Sequence, residues 1–222
     1  MKYYPYHSER GCLSYLLVDE ASKEAVLIDP SEEIPLEDYL DALQKHDATL
    51  RYVIETHTHA DHVSSALALK EEKGAVVVRH VLAPSTLNDV PVHGGEELLL
   101  GQKSIRIIAT PGHTNESISV VADGAVFTGD ALLIGGTGRT DFQLGDSEAL
   151  YVSLHDALGV LPDNTIVYPA HDYKGRTHST IGEERLHNPR FLLPRDEFIE
   201  VMDAHHPPEP ELFKEAIEQN SR

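Results

Sequence analysis

Short apolar runs bounded by polar turns alternate along the chain with stretches of helical spacing. Leu13 to Val18 and Ala25 to Asp29 flank the polar residues Asp19, Glu20, Ser22 and Lys23, a pattern that predicts a hairpin closed by Asp29-Pro30. From Pro35, placed where a first helical turn tolerates proline, Leu36, Tyr39, Leu40 and Leu43 recur at helical spacing and should cover one face of that sheet. Tyr52 to Glu55 reads as the end of a buried strand, Val63 to Lys70 as a helix with a glycine stop near Gly74, and Val76 to Val78 as the next strand. The segment from Ala83 to Gly95, with Pro84, Asn88 and Pro91, is expected to be irregular.

Ile105 to Ala109 is a further predicted strand, and Ser117 to Ala122 with Ala125 to Thr128 predict a hairpin around Asp123-Gly124, a pair suited to a two-residue turn. Ser147 is placed to cap a helix in which Leu150, Leu154, Leu158 and Leu161 repeat at spacings of three and four, before Pro162 ends it. Thr165 to Tyr168 is the last core strand, and Thr180 with Glu183 predicts a capping box for a helix through Arg185 and Leu186. Beyond Pro194, prolines alternate with short helical patterns at Phe198 to Met202 and Leu212 to Ile217. Strands alternating with helices, and no Gly-x-Gly-x-x-Gly after the first strand, predict a layered α/β sandwich. One domain over residues 1–222 is expected, with a short helical C-terminal segment from about 194 to 222.

Chemistry concentrates where the predicted strands end. Thr56-His57-Thr58-His59-Ala60-Asp61-His62 lies between a strand and a helix, and three histidines and an aspartate so close together suit a metal site better than a core. His57, His113, Asp130 and His171 each follow a predicted strand, so loops at one edge of the layers could bring all four together.

Composition narrows the partners. The 18 basic and 37 acidic residues give a formal charge of −19, which disfavours nucleic acid and anionic membranes and leaves a small metabolite as the expected partner. No apolar run approaches the ~20 residues of a membrane span, and the start has no signal-peptide character, so a cytoplasmic protein is expected. Cys12 is the single cysteine, which excludes an internal disulfide and a zinc site built on thiolates. It reads as a small buried apolar residue. A homodimer is compatible with all of this.

The order His57-x-His59-x-Asp61-His62, then His113 in Pro-Gly-His-Thr, Gly129-Asp130 and His171 resembles the metallo-β-lactamase superfamily. The resemblance covers roughly residues 10 to 190 and implies a four-layer αβ/βα sandwich with a metal site at one edge of its two sheets. The stretches Gly129 to Gln143 and Pro169 to Thr177, extended by Ser179-Thr180-Ile181, Glu183-Glu184-Arg185 and Asn188-Pro189-Arg190, are similar to glutathione persulfide dioxygenases of the ethylmalonic-encephalopathy type. Thr137 stands where some members carry cysteine.

That narrower resemblance implies one Fe(II) per chain on His57, His113 and Asp130, two imidazoles and a carboxylate that leave coordination positions open. It implies oxidation of glutathione persulfide by O2 to sulfite and glutathione. His59, Asp61, His62 and His171 are then expected to orient ligands and water around the ion, or alternatively to hold a second metal. Arg139 is a candidate grip for a substrate carboxylate, or a structural tie for the Gly135 to Gly138 turn. Tyr173 is a candidate hydroxyl donor to the glutathione backbone, or a packing residue at the mouth. Lys174, Arg176, Arg185, Arg190 and Arg195 would bring positive charge near an anionic substrate. The competing reading is a dinuclear thioester hydrolase of the glyoxalase II type acting on S-lactoylglutathione. That reading calls for a helical substrate-binding extension, for which the residues after Pro189 leave little room.

Overall fold

The computed structural model describes residues 1–222. The first sheet runs in the order β1 (Lys2–His7), β2 (Leu13–Asp19), β3 (Glu24–Ile28), β4 (Thr49–Ile54), β5 (Val76–His80) and β6 (Val90–Val92). Its hairpin half is antiparallel and its β3 to β6 half is parallel. Parallel neighbours need crossovers, and helices α1 (Leu36–Lys45) and α2 (Ala66–Lys73) supply the first two. The second sheet is ordered β12 (Ser179–Thr180), β11 (Ile166–Pro169), β10 (Ala125–Gly129), β9 (Ile118–Ala122), β8 (Lys103–Ala109) and β7 (Glu97–Leu100). Only its β10–β11 pair is parallel, and the crossover between them holds α3 (Ser147–Val152), which widens into a π-helical segment, Ser153–Leu158.

Three apolar clusters define four layers. Between the sheets, alternate residues of both inner faces interlock: Leu13, Tyr15, Leu17, Val26 and Ile28 meet Ile105, Ile107, Ile118, Val120 and Phe127. Tyr15, Phe127 and Tyr168 form an aromatic cluster with centroids 5.1–5.2 Å apart, Phe127 stacked on Tyr168 and Tyr15 tilted against both, and the Tyr15 hydroxyl donates to the Pro169 carbonyl at 2.6 Å. Such aromatic pairs add about 0.5–1.5 kcal/mol each beyond the area they bury. The outer face of the first sheet packs Leu16, Leu27 and Val53 against Tyr39 and Leu43 of α1 and Leu69 of α2. The outer face of the second packs Val126 and Val167 against Leu150, Leu154 and Leu158, together with Ile181 of α4 (Ile181–His187) and Phe198 and Met202 of α5 (Arg195–Asp203). The expected αβ/βα sandwich is the observed fold. A sixth helix, α6 (Phe213–Asn220), follows.

Several local expectations change. Asp146, not Ser147, caps α3, its Oδ1 accepting the Ala149 N–H at 2.8 Å. Ser147 instead donates its hydroxyl to Asp203 at 2.6 Å, tying α3 to α5. Pro35 sits one position before the first turn of α1 as its N-cap. The helix after the histidine loop starts only at Ala66, because Ser64 forms a bridge with Ser31. Within the expected irregular segment lies β6, and β1, β7 and β12 are also strands that the apolar pattern does not predict. The Asp123-Gly124 turn is as expected, with φ positive at both residues (46° and 85°), as a two-residue hairpin requires. Thr180 caps α4 through the Glu183 N–H. No helix is long and apolar enough to cross a membrane.

Candidate metal centre

All four strand-end residues arrive at one edge of the sandwich. His57 follows β4, His113 lies in the turn after β8, Asp130 directly follows β10, and His171 comes just after β11. One ligand atom each from His57, His113 and Asp130 lies within 4.8 Å of the other two. The loops are held from behind: the Thr58 N–H donates to buried Glu116 at 2.7 Å, and Gln143 donates to the Thr58 carbonyl at 2.5 Å.

Hydrogen bonds decide which nitrogen each imidazole can offer. A carbonyl only accepts, so His113 Nδ1, 2.7 Å from the Arg139 carbonyl, carries the proton and Nε2 keeps the lone pair. That Nε2 is 3.6 Å from Asp130 Oδ2. Thr56 Oγ1 donates to Asp29 Oδ2 at 2.8 Å and therefore accepts from His57 Nδ1 at 3.0 Å, which leaves His57 Nε2 free. Burial, helped by the neighbouring His59 and His113 imidazoles, pushes His57 well below the ordinary imidazole value, so its ring is neutral and able to ligate. Asp130 is also buried, which favours protonation, but His171, His113 and His57 outweigh that and hold the carboxyl well below the usual range.

Behind this trio, His171 spans two carboxylates. Its Nδ1 is 2.6 Å from Asp130 Oδ1 and its Nε2 is 2.7 Å from Asp61 Oδ2. Carboxylates accept, so both ring nitrogens donate. Burial opposes that charge, yet Asp130 and Asp61 together raise His171 well above its ordinary value. His62 stands nearby, fully buried, with neither ring nitrogen hydrogen-bonded. Cys12 completes this second group, its Sγ donating to Asp61 Oδ2 at 3.3 Å. The expectation of a buried Cys12 holds, but its neighbours are polar, and nothing in the local sequence around it signals that.

His59 departs from the group in which the motif places it. Its ring turns inward, with Nε2 3.2 Å from Asp29 Oδ1 and 3.8 Å from Glu55 Oε2. Asp29 also accepts the Thr56 N–H at 2.7 Å, so this buried cluster braces the start of the histidine loop. Asp29 ends a strand just as the candidate ligands do, and that signal could have marked it.

The donors present are therefore two imidazoles and a carboxylate, converging with one atom each outside these hydrogen bonds, a set that fits a divalent transition metal. The metallo-beta-lactamase superfamily model matches residues 7–171. The chain is 41% identical over 212 residues to the mitochondrial persulfide dioxygenase ETHE1 of Bos taurus, covering 94% of this chain and 83% of that one. It superposes on the crystal structure of ETHE1 from Myxococcus xanthus with a TM-score of 0.96 and 44% identity, over 100% of this chain and 98% of that one. The chain belongs to the ETHE1 family of the metallo-β-lactamase superfamily. A probable hydroxyacylglutathione hydrolase of Schizosaccharomyces pombe is more distant, 33% identical over 165 residues, covering 72% of this chain and 63% of that protein.

In this member of the ETHE1 family the trio opens into a cavity of about 400 Å³, lined also by Tyr173, Phe142 and the tail residues His205, Pro207 and Pro208. Tyr173 is 75% exposed and lies parallel to the His171 ring at 5.9 Å, so it stands at the mouth. Arg139 is not free to grip a substrate carboxylate with its fork. Nε and Nη2 donate to Asp141 at 2.5 and 2.7 Å, Nη2 and Nη1 donate to the Pro207 and Pro208 carbonyls at 2.8 Å, and the guanidinium lies 3.8 Å over the Phe142 ring. Nor does its side chain tie the Gly135 to Gly138 turn. Glu184 and Asn188 do that, accepting the Gly135 N–H at 2.8 Å and donating to the Gly136 carbonyl at 3.0 Å. Arg139 instead clamps a strap, residues 204–212, that runs from α5 across the cavity to α6. The expected basic lip is also largely neutralised, since Arg176, Arg185 and Arg195 pair with Asp172, Asp163 and Glu148.

Proposed function

We propose that the protein is an iron(II)-dependent persulfide dioxygenase that oxidises glutathione persulfide with O2, and that one iron per chain is held by His57, His113 and Asp130. The observation that carries this reading is the donor assignment: these three residues each present a free ligand atom, while both nitrogens of His171 already donate to carboxylates. A second cluster able to hold an ion, Cys12, Asp61, His62 and His171, would have to break one of those His171 bonds to use that ring. The likeness to ETHE1 proteins over nearly the whole chain supports the same reaction.

When bound, ferrous iron would supply the redox chemistry and open positions for the persulfide sulfur and O2. The reaction balances as a persulfide, O2 and one water yielding a thiol, sulfite and protons, the terminal sulfur losing the four electrons that O2 gains. The chain's own residues have defined parts. His171 keeps a proton on Nδ1 and so fixes Asp130 Oδ1, leaving Oδ2 as the oxygen that would hold an ion together with His113 and His57. The Arg139 carbonyl and Thr56 fix the tautomers of His113 and His57. Tyr173, at the mouth, is assigned to donate its hydroxyl to the substrate's peptide backbone. Asp61, which also accepts from the Cys12 thiol, holds His171 from its other nitrogen and keeps it oriented.

The second reading, a dinuclear hydrolase of S-lactoylglutathione, is favoured by one observation: the ring nitrogens of buried His62 make no hydrogen bond, although Nδ1 lies 3.4 Å from Asp61 Oδ1. Elemental analysis and oxygen uptake separate the two. The dioxygenase should contain about one iron per chain and consume O2 with glutathione persulfide. Oxygen-independent thioester cleavage by a protein holding two zincs would reject it.

A further inference from the structure

The carboxamide of Asn220, the last residue of α6, reaches into the turn that carries Asp61 and His62. Its Nδ2 donates to the His59 and His62 carbonyls, both at 2.9 Å, and its Oδ1 accepts the Ser64 N–H at 2.9 Å. The side chain is buried, and no backbone N–H donates to either carbonyl. Its own carbonyl accepts from Nη1 of buried Arg79 at 2.8 Å, which fixes the end of α6 on β5. One amide thus satisfies three buried backbone groups of the loop, across 156–161 residues of sequence.

The loop it fixes has a direct route to the metal centre. Asp61 on that turn holds His171 Nε2, and His171 Nδ1 holds Asp130. We infer that Asn220 is a positioning residue for the metal centre, setting through the 59–64 turn the orientation of Asp61, His171 and finally Asp130. The inference rests on the reading of this loop as metal-holding and not on oxygenase chemistry. Asn220→Asp preserves the shape and the acceptor for Ser64 but aims a carboxylate oxygen at two buried carbonyls, so it should be worse than simple truncation.

The test is Co(II) binding to metal-free wild type, Asn220→Asp, Asn220→Ala and the neighbouring control Gln219→Ala, well below each protein's melting temperature. Gln219 is exposed, and its side chain bonds only to Glu215 within α6. Supporting partners of metal ligands typically matter by about 10- to 100-fold in affinity, so the two Asn220 variants should bind Co(II) weaker by that factor with an altered visible spectrum. Gln219→Ala should match wild type. Unchanged affinity and spectrum in Asn220→Asp, with only a lowered melting temperature, would overturn the inference and make Asn220 a fold anchor. If neither variant folds, hydrogen exchange at the Ser64 amide of wild type decides, because coupling is reciprocal. Metal loading should slow it, and equal rates with and without Co(II) would overturn the inference. A wild type that takes up two zincs and no iron would sink the dioxygenase reading while leaving this measurement intact.

Discussion

Replacing Arg139 by Ala tests how the strap is held over the cavity. The substitution removes a bidentate ion pair with Asp141, two hydrogen bonds to the Pro207 and Pro208 carbonyls, and the stack on Phe142. A hydrogen bond to a charged group contributes about 1.5–3 kcal/mol and a partly exposed cation–π contact about 0.5–1 kcal/mol. The released carbonyls regain water, and the freed strap regains entropy, so the gross figure is not reached. We expect a net loss of about 3 kcal/mol, which for a chain of this size lowers the melting temperature by roughly 6–12 °C. Arg139→Lys should fall nearer to Ala than to wild type, because an ammonium cannot reproduce the fork. The assay is a thermal melt paired with a glutamyl endopeptidase, which should cut the Glu211–Leu212 bond of the variant faster than that of wild type. A melting temperature within a degree of wild type and an equally resistant strap, together with a raised KM, would refute this reasoning and return Arg139 to substrate binding.

Asp130→Ala should take the iron content from about one per chain to near zero by elemental analysis, and full retention would break the ligand assignment. Gly138→Ala should cost at least roughly tenfold in metal affinity, of the order seen when supporting groups of a metal site are disturbed. A methyl there would lie 2.5 Å from the Asp130 carbonyl oxygen and 2.7 Å from His113 Nδ1, so both ligands must move, and Co(II) titration would detect it. Asp141 has a depressed carboxyl, at about 2, chiefly through its bond to Arg139. A depressed folded value contributes stability that is full above the unfolded value near 4 and is lost as pH falls toward 2. The gap in urea midpoint between wild type and Asp141→Asn should therefore be constant from pH 7 to 5 and smaller at pH 3, and an unchanged gap at pH 3 would contradict this.

What the sequence reveals and what it hides follow from burial. The eight inner strands carry near-continuous or alternating apolar runs because they are covered on one or both faces, and all eight are legible in the sequence. The four strands that the pattern does not predict, β1, β6, β7 and β12, are the four sheet edges. An edge strand buries less and tolerates proline: Pro5 lies in β1 and Pro91 in β6. The proposed metal trio is legible because each member follows an inner strand. Arg139 is not, since its partners Pro207 and Pro208 lie far along the chain in a segment without a strong pattern. Asn220 and Cys12 escape for the same reason: their meaning comes only from distant loops.

The donors around the cavity come from both halves of the sandwich: His57 and Asp61 follow strands of the first sheet, while His113, Asp130 and His171 follow strands of the second. An ion held by the proposed ligands would be a rivet across the seam. Its grip reports how the two sheets are aligned, so a core substitution far from the edge that slides one sheet against the other should loosen the ion before it unfolds either half.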